Sequence, residues 1–87
     1  MASYRVTIKT SAAKELEALE PRSLRVRIVS RIERLAQTPR PPGSQKLAGE
    51  AERYRIRQGA HRIVYSVDDQ QRVVLIVKIG HRRDVYR

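Results

Sequence analysis

Eighty-seven residues without a cysteine specify one domain, residues 1–87, with a thin core. A chain of this size buries only about 60 to 65% of its unfolded surface, and here neither a disulfide framework nor a thiolate metal site can reinforce it. Nineteen Lys and Arg against nine Asp and Glu give a net charge of +10 and a pI near 11.1, a balance that favours a polyanionic partner and fits an acidic protein equally.

Fifteen of the nineteen basic residues are arginine. The planar guanidinium forks onto phosphate or carboxylate where lysine offers a point charge. A genomic bias towards arginine codons would produce the same ratio, but not the excess of positive charge. The opening MASYRVTIKT has no apolar signal-peptide run, and no stretch is long and apolar enough to span a bilayer. A soluble, cytoplasmic protein with no membrane association is expected.

In chain order, SYRVTIK alternates Tyr4, Val6 and Ile8 with Arg5, Thr7 and Lys9, the pattern of a half-buried strand. Thr10 or Ser11 then caps a short helix with Ala12, Leu16 and Leu19 on its apolar side, ending near Glu20. Pro21 suits the first turn of a second helix over residues 21–36. That helix places Leu24, Ile28, Ile32 and Leu35 on one face and Arg27, Arg31 and Arg34 on another. TPRPPGS, residues 38–44, holds three prolines and a glycine and is a loop.

Three strands follow. Residues 52–58 oppose Tyr54 and Ile56 to Arg53, Arg55 and Arg57, and residues 62–68 oppose Ile63, Tyr65 and Val67 to Arg62, Val64 and Ser66. Residues 72–79, nearly all apolar and β-branched, predict a strand covered on both sides. The turns between them, at Gly59 and at Asp68 to Gln71, are hairpin-sized. The expected fold is α+β, in the order β-α-α-β-β-β, with a two-helix hairpin packed on a largely antiparallel four-stranded sheet.

The chain has no GxxxxGK, GxGxxG or HExxH motif, and its only histidines are His61 and His81. Neither cofactor nor metal is expected. What remains is cations at strand spacing. Arg55 and Arg57 leave one strand on the same face about 6 to 7 Å apart, and the hairpin brings Arg62 alongside. The tail GHRRDVYR adds His81, Arg82, Arg83 and Tyr86. A sheet face kept soluble by charge would look the same.

Such a cluster also suits phosphodiester cleavage in RNA, where the 2′-OH is itself the nucleophile. The enzyme then needs a base, a donor for the 5′-oxygen and fixed positive charge against the phosphorane. Arginine serves the last task and not the first, because it stays protonated. Tyr86 beside arginines is a sensible base, since cations favour its phenolate; packing of Tyr86 on the sheet edge fits the spacing equally.

KLAGEAERYRIRQGAHRIVYSVDD, an apolar strand and IGHRRDVYR together resemble the RelE group of the RelE/ParE toxin superfamily, over nearly the whole chain. Its most specific parts are the lead-in Lys46, Leu47, Ala48 and Gly49, the YRIR-xG-xxR-xxY hairpin and the GHRxxxY close. The resemblance implies a fold akin to small microbial ribonucleases and cleavage of mRNA in the ribosomal A site, where 16S rRNA surrounds the message. The products would be a 2′,3′-cyclic phosphate and a 5′-hydroxyl, and the implied partner is a cognate RelB-like antitoxin.

Carried over by motif, the catalytic set falls on Arg55, Arg57, Arg62, Arg82 and Tyr86. Arg62 would stabilise the phosphorane, Arg82 assist the leaving oxygen and Tyr86 take the 2′-OH proton. The better-known RelE enzyme has lysines where Arg55 and Arg57 stand, and a longer spacing where this chain has Gly80 to Tyr86, which leaves Arg82 and Arg83 as alternatives. His81 is the alternative base, because related toxins use a histidine near the C-terminus. ParE-type relatives share the fold and act on DNA gyrase; a non-catalytic basic RNA-binding module is the third reading.

Overall fold

Two strands from opposite ends of the chain lie side by side in the sheet. In a computed structural model, which describes residues 3–49 and 52–81, β1 (Arg5–Ile8) runs parallel to β5 (Val73–His81), from Arg5 opposite Val73 to Ile8 opposite Ile76. The other pairings are antiparallel, through β4 (His61–Asp68) and β3 (Arg53–Gln58) to a two-residue strand β2 (Gln45–Lys46). The strand order is β1-β5-β4-β3-β2. The architecture is the expected α+β, with β2 as a fifth strand too short to register in the sequence pattern.

Between β1 and β2 come α1 (Thr10–Glu17) and α2 (Arg22–Arg34). Thr10 lies inside α1 instead of capping it, and no side chain caps the helix. The reason is local: Lys9 continues the strand, its N–H donating to the Ile76 carbonyl at 2.9 Å, and so takes the N-cap position itself. α1 stops three residues short of Glu20. Arg25 reaches back to donate to the Glu17 and Leu19 carbonyls at 3.4 and 3.3 Å, satisfying acceptors orphaned at the helix end. α2 finishes in a tight turn in which Leu35 and Ala36 donate to Ile32 and Glu33.

The core lies on one face of the sheet. Ala12 of α1 and Ile28, Ile32 and Leu35 of α2 pack on Ile56, Ile63, Tyr65, Val67, Val74, Ile76 and Ile79, with Leu16, Leu19 and Leu24 at the margin. β5 differs from the expected strand buried on both sides: Val74, Ile76 and Ile79 are buried, while Leu75 and Val77 are only half-buried. Lys78 pairs with Val64 and Ile76 with Tyr65, leaving Val77 as a bulge. The extra residue lets Ile76 and Ile79, three apart, both face the core.

Backbone geometry explains the other shifts in strand ends. Glu52 and Arg72 have positive φ, 55° and 58°, so neither continues a strand. Asp68 turns the chain between β4 and β5 by accepting from the Gln70 and Gln71 N–H groups at 3.0 Å. At the edge of β5 beyond β1, Glu15 accepts from the Ile79 N–H at 2.9 Å and pairs with Lys78 at 2.6 Å. Side-chain oxygens there replace a missing strand.

Candidate functional site

The β3–β4 hairpin sets the site. Gln58 and His61 close a two-residue turn at Gly59 and Ala60 in which Gly59 has φ +60°. Positive φ at the first turn position alone matches the strand twist and favours glycine. The register that follows puts Arg57 directly opposite Arg62 and Arg55 opposite Val64. Ile56 and Ile63 point into the core, so alternation sends these three arginines to the other face.

That face is not uniformly open. Arg57 is exposed, but Arg55 and Arg62 retain only 8% and 4% of their accessible surface. Arg55 donates through Nη2 to the Gln45 side chain on β2. On the far side of Arg62, its β5 partner is Gly80, which carries no side chain.

His61 and His81 are cross-strand partners, their rings edge to face with centroids 5.6 Å apart. The same alternation that takes Arg62 and Gly80 to one face takes His61 and His81 to the helix side. The structure therefore gathers Arg55, Arg57 and Arg62 and sets His81 apart from them. Arg82, Arg83 and Tyr86 lie outside the described residues.

A polar cleft of about 420 Å³ runs beside the edge of β3, past the end of β2, lined by Arg31, Pro42, Gly43, Gln45, Arg55 and Arg57. Sequence reasoning did not join Arg31 or Gln45 to the site. The available signal was the proline-rich loop, which leads back from α2 to the sheet edge and so brings the two layers together there.

The loop is held from behind by Arg40. Its Nε donates to Tyr54 Oη at 2.8 Å, its Nη1 and Nη2 fork onto Asp69 at 3.2 and 2.8 Å, and Nη2 also reaches Glu52 at 3.1 Å. The guanidinium carbon lies 5.0 Å from the Tyr54 ring centroid. Tyr54 stacks on Tyr65 at 5.9 Å, and Tyr65 donates to the Pro39 carbonyl at 2.7 Å. These ion pairs are half-exposed and contribute little energy singly; together they fix where the loop sits.

The clasp also sets the described phenols. Burial pushes the Tyr65 phenol up to about 12. Tyr4 donates to Asp69 at 2.6 Å, which raises its phenol and, after the larger effect of Arg40, lowers the Asp69 carboxyl. Tyr54 donates to Glu52 at 3.2 Å while accepting from Arg40. Among the described residues no group of three or more His, Asp or Glu could hold a metal ion, and no helix is long and apolar enough to cross a membrane.

Comparison with known proteins bears on the fold and the family. The family model for the ParE toxin of the type II toxin–antitoxin system parDE matches residues 6–86. Toxin RelG of Mycobacterium tuberculosis is 31% identical over 84 residues, covering 97% of each chain. A putative toxin RelE1 of Methanocaldococcus jannaschii is 32% identical, covering 97% of this chain and 96% of its own. Among solved structures, the archaeal RelE–RelB complex of Pyrococcus horikoshii superposes with a TM-score of 0.81 at 32% identity, over 94% of this chain and 97% of that one. The intact Escherichia coli RelBE toxin–antitoxin complex gives 0.78 at 26% identity, over 90% and 95%. The two helices on a mostly antiparallel sheet and the sequence matches over nearly its whole length lead to one conclusion: the chain belongs to the RelE/ParE superfamily of toxins of type II toxin–antitoxin systems.

Proposed function

We propose that the protein is a ribosome-dependent endoribonuclease that cuts mRNA in the A site and so arrests translation. The observation that carries the reading is Arg57 directly opposite Arg62, with Arg55 one pleat away on the same face. Like charges at opposed strand positions oppose folding, and such a local conflict is characteristic of a functional site. A scissile phosphate there would have its developing negative charge met by fixed guanidinium groups.

In this chemistry the ribose 2′-OH attacks the adjacent phosphorus, the 2′,3′-cyclic phosphate forms, and the 5′-oxygen leaves with a proton. Of the residues that the resemblance points to, a phenol or an imidazole can take the proton. Tyr4, Tyr54 and Tyr65 are engaged in the clasp, which leaves Tyr86 as the phenol available for the role. Strand alternation turns His81 away from the arginines, so we assign the base to Tyr86 and the leaving-group contact to Arg82, with Arg83 as its alternative.

The partner is a RelB-like antitoxin, by likeness to the RelE chains solved with RelB. An apolar groove between α1 and α2, with Leu16, Val26 and Val29 in its walls, suits an amphipathic helix of that partner.

Translation in vitro with the purified protein, followed by mapping of mRNA ends on stalled ribosomes, tests the reading. Cuts in the A site should disappear in Arg62→Ala and Tyr86→Phe while both variants stay folded. Gyrase inhibition is the second reading, favoured by the ParE family model that matches the chain. Gyrase-dependent DNA breaks without RNA cleavage would establish it and exclude the nuclease.

A further inference from the structure

Arg31 lines the cleft with Arg55 and Arg57, and it also lines two neighbouring depressions. One contains Arg27, Arg34 and Gln58, the last residue of β3; the other contains Arg34, Thr38 and Pro41. Arg27, Arg31 and Arg34 stand at i, i+4 and i+7, on one side of α2, and span about 10 Å along its axis. Arg27 and Arg34 are exposed. Among the described residues no carboxylate pairs with them, and those that do form ion pairs bind Arg40 and Lys78.

We infer that this row is a track for the phosphate backbone of single-stranded RNA, which leaves the Arg55–Arg57 cleft around the edge of β3 and continues along α2. The inference rests on the RNA-cleaving reading and adds the path of the strand beyond the reacting phosphate. Continuity favours RNA over an acidic protein segment. A nucleic acid offers a charge at every residue to match an unbroken row of cations, whereas a protein helix needs apolar anchors, and those lie in the separate groove around Leu16 and Val29.

The test uses the double variant Arg27→Gln/Arg34→Gln and two uncleavable 2′-O-methyl RNA probes: a trinucleotide, which fills the cleft alone, and an oligonucleotide long enough to cross α2. Glutamine keeps helix propensity, so the thermal melt should match that of the parent. Removing two phosphate contacts should lower the slope of log Kd on log salt by about 1.4 for the long probe and leave trinucleotide binding unchanged. Arg31→Gln should weaken both.

An unchanged slope for the long probe, or an equal loss for both probes, overturns the track while leaving the nuclease reading intact. Retained RNA binding with lost affinity for the antitoxin would make the row a protein-docking surface, which also overturns it. A parent protein that binds neither probe on or off the ribosome removes the nuclease reading as well.

Discussion

Arg57 and Arg62 face each other across β3 and β4, and Arg57 is exposed, so its charge can be removed without opening a cavity. At about 6 Å in a water-like dielectric, Coulomb's law gives about 0.7 kcal/mol of repulsion between two unit charges. Directly opposed like charges on strands cost about 0.2 to 1 kcal/mol in mutational series. Arg57→Gln should therefore stabilise the protein by about 0.5 to 1 kcal/mol, raising Tm by about 2 to 8 °C for a domain of this size.

The gain should fade in about 1 M salt, where the Debye length falls to about 3 Å. Thermal unfolding of the free protein at low and high salt reads both effects, free of the stabilisation a bound antitoxin would add. If the proposed function holds, the same variant should cut mRNA about 10- to 100-fold more slowly, because the proposal sets the lost cation against the phosphorane. A lower Tm, or a rise that survives high salt, would refute the repulsion argument. Full activity together with the raised Tm would remove Arg57 from the site.

Arg62→Ala should lower cleavage by about 10²- to 10³-fold in the same mapping assay. Tyr65→Phe removes the bond to the Pro39 carbonyl and should cost about 1 to 2 kcal/mol in urea unfolding. Ile76→Ala, in the centre of the core, should cost about 2 to 5 kcal/mol. Asp69 tests the clasp through pH. Arg40 first and Tyr4 second hold its carboxyl below the ordinary value, so its contribution is complete above the unfolded pKa, about 3.9, and is lost as pH falls through the lower folded value. Asp69→Asn should thus melt below the parent at neutral pH and converge with it in acid.

Strand alternation alone carried the hairpin. Ile56, Ile63, Tyr65 and Val67 sit in the core, with Arg55, Arg57 and Arg62 opposite, because period-two patterning leaves no other register once one face is buried. Four features were not legible for different reasons. β2 is two residues long and has no period. The bulge at Val77 depends on the neighbouring strand. The burial of Arg55 and Arg62 is a tertiary property, which the period of a strand does not encode. Arg31 joins the cleft only because a loop of fixed shape carries the chain from α2 to the sheet edge, and that shape is set by Arg40, a residue that looks in the sequence like one more surface cation.

The arginines separate by what the fold requires of them. Arg25 closes the end of α1, and Arg40 binds three side chains behind the loop; removing either exposes backbone or frees a segment. Arg57, Arg31, Arg34 and Arg27 lie along the cleft and its extension, and no carboxylate among the described residues pairs with them. The paired carboxylates of Glu15, Glu52 and Asp69 serve a sheet edge and the loop clasp instead. A fold that merely needed solubility would gain by interspersing its few acids among these arginines, since mixed charge dissolves a surface without self-repulsion. Among the described residues the paired acids stand away from this row, the arrangement that the proposed binding of a phosphate backbone calls for and folding alone does not.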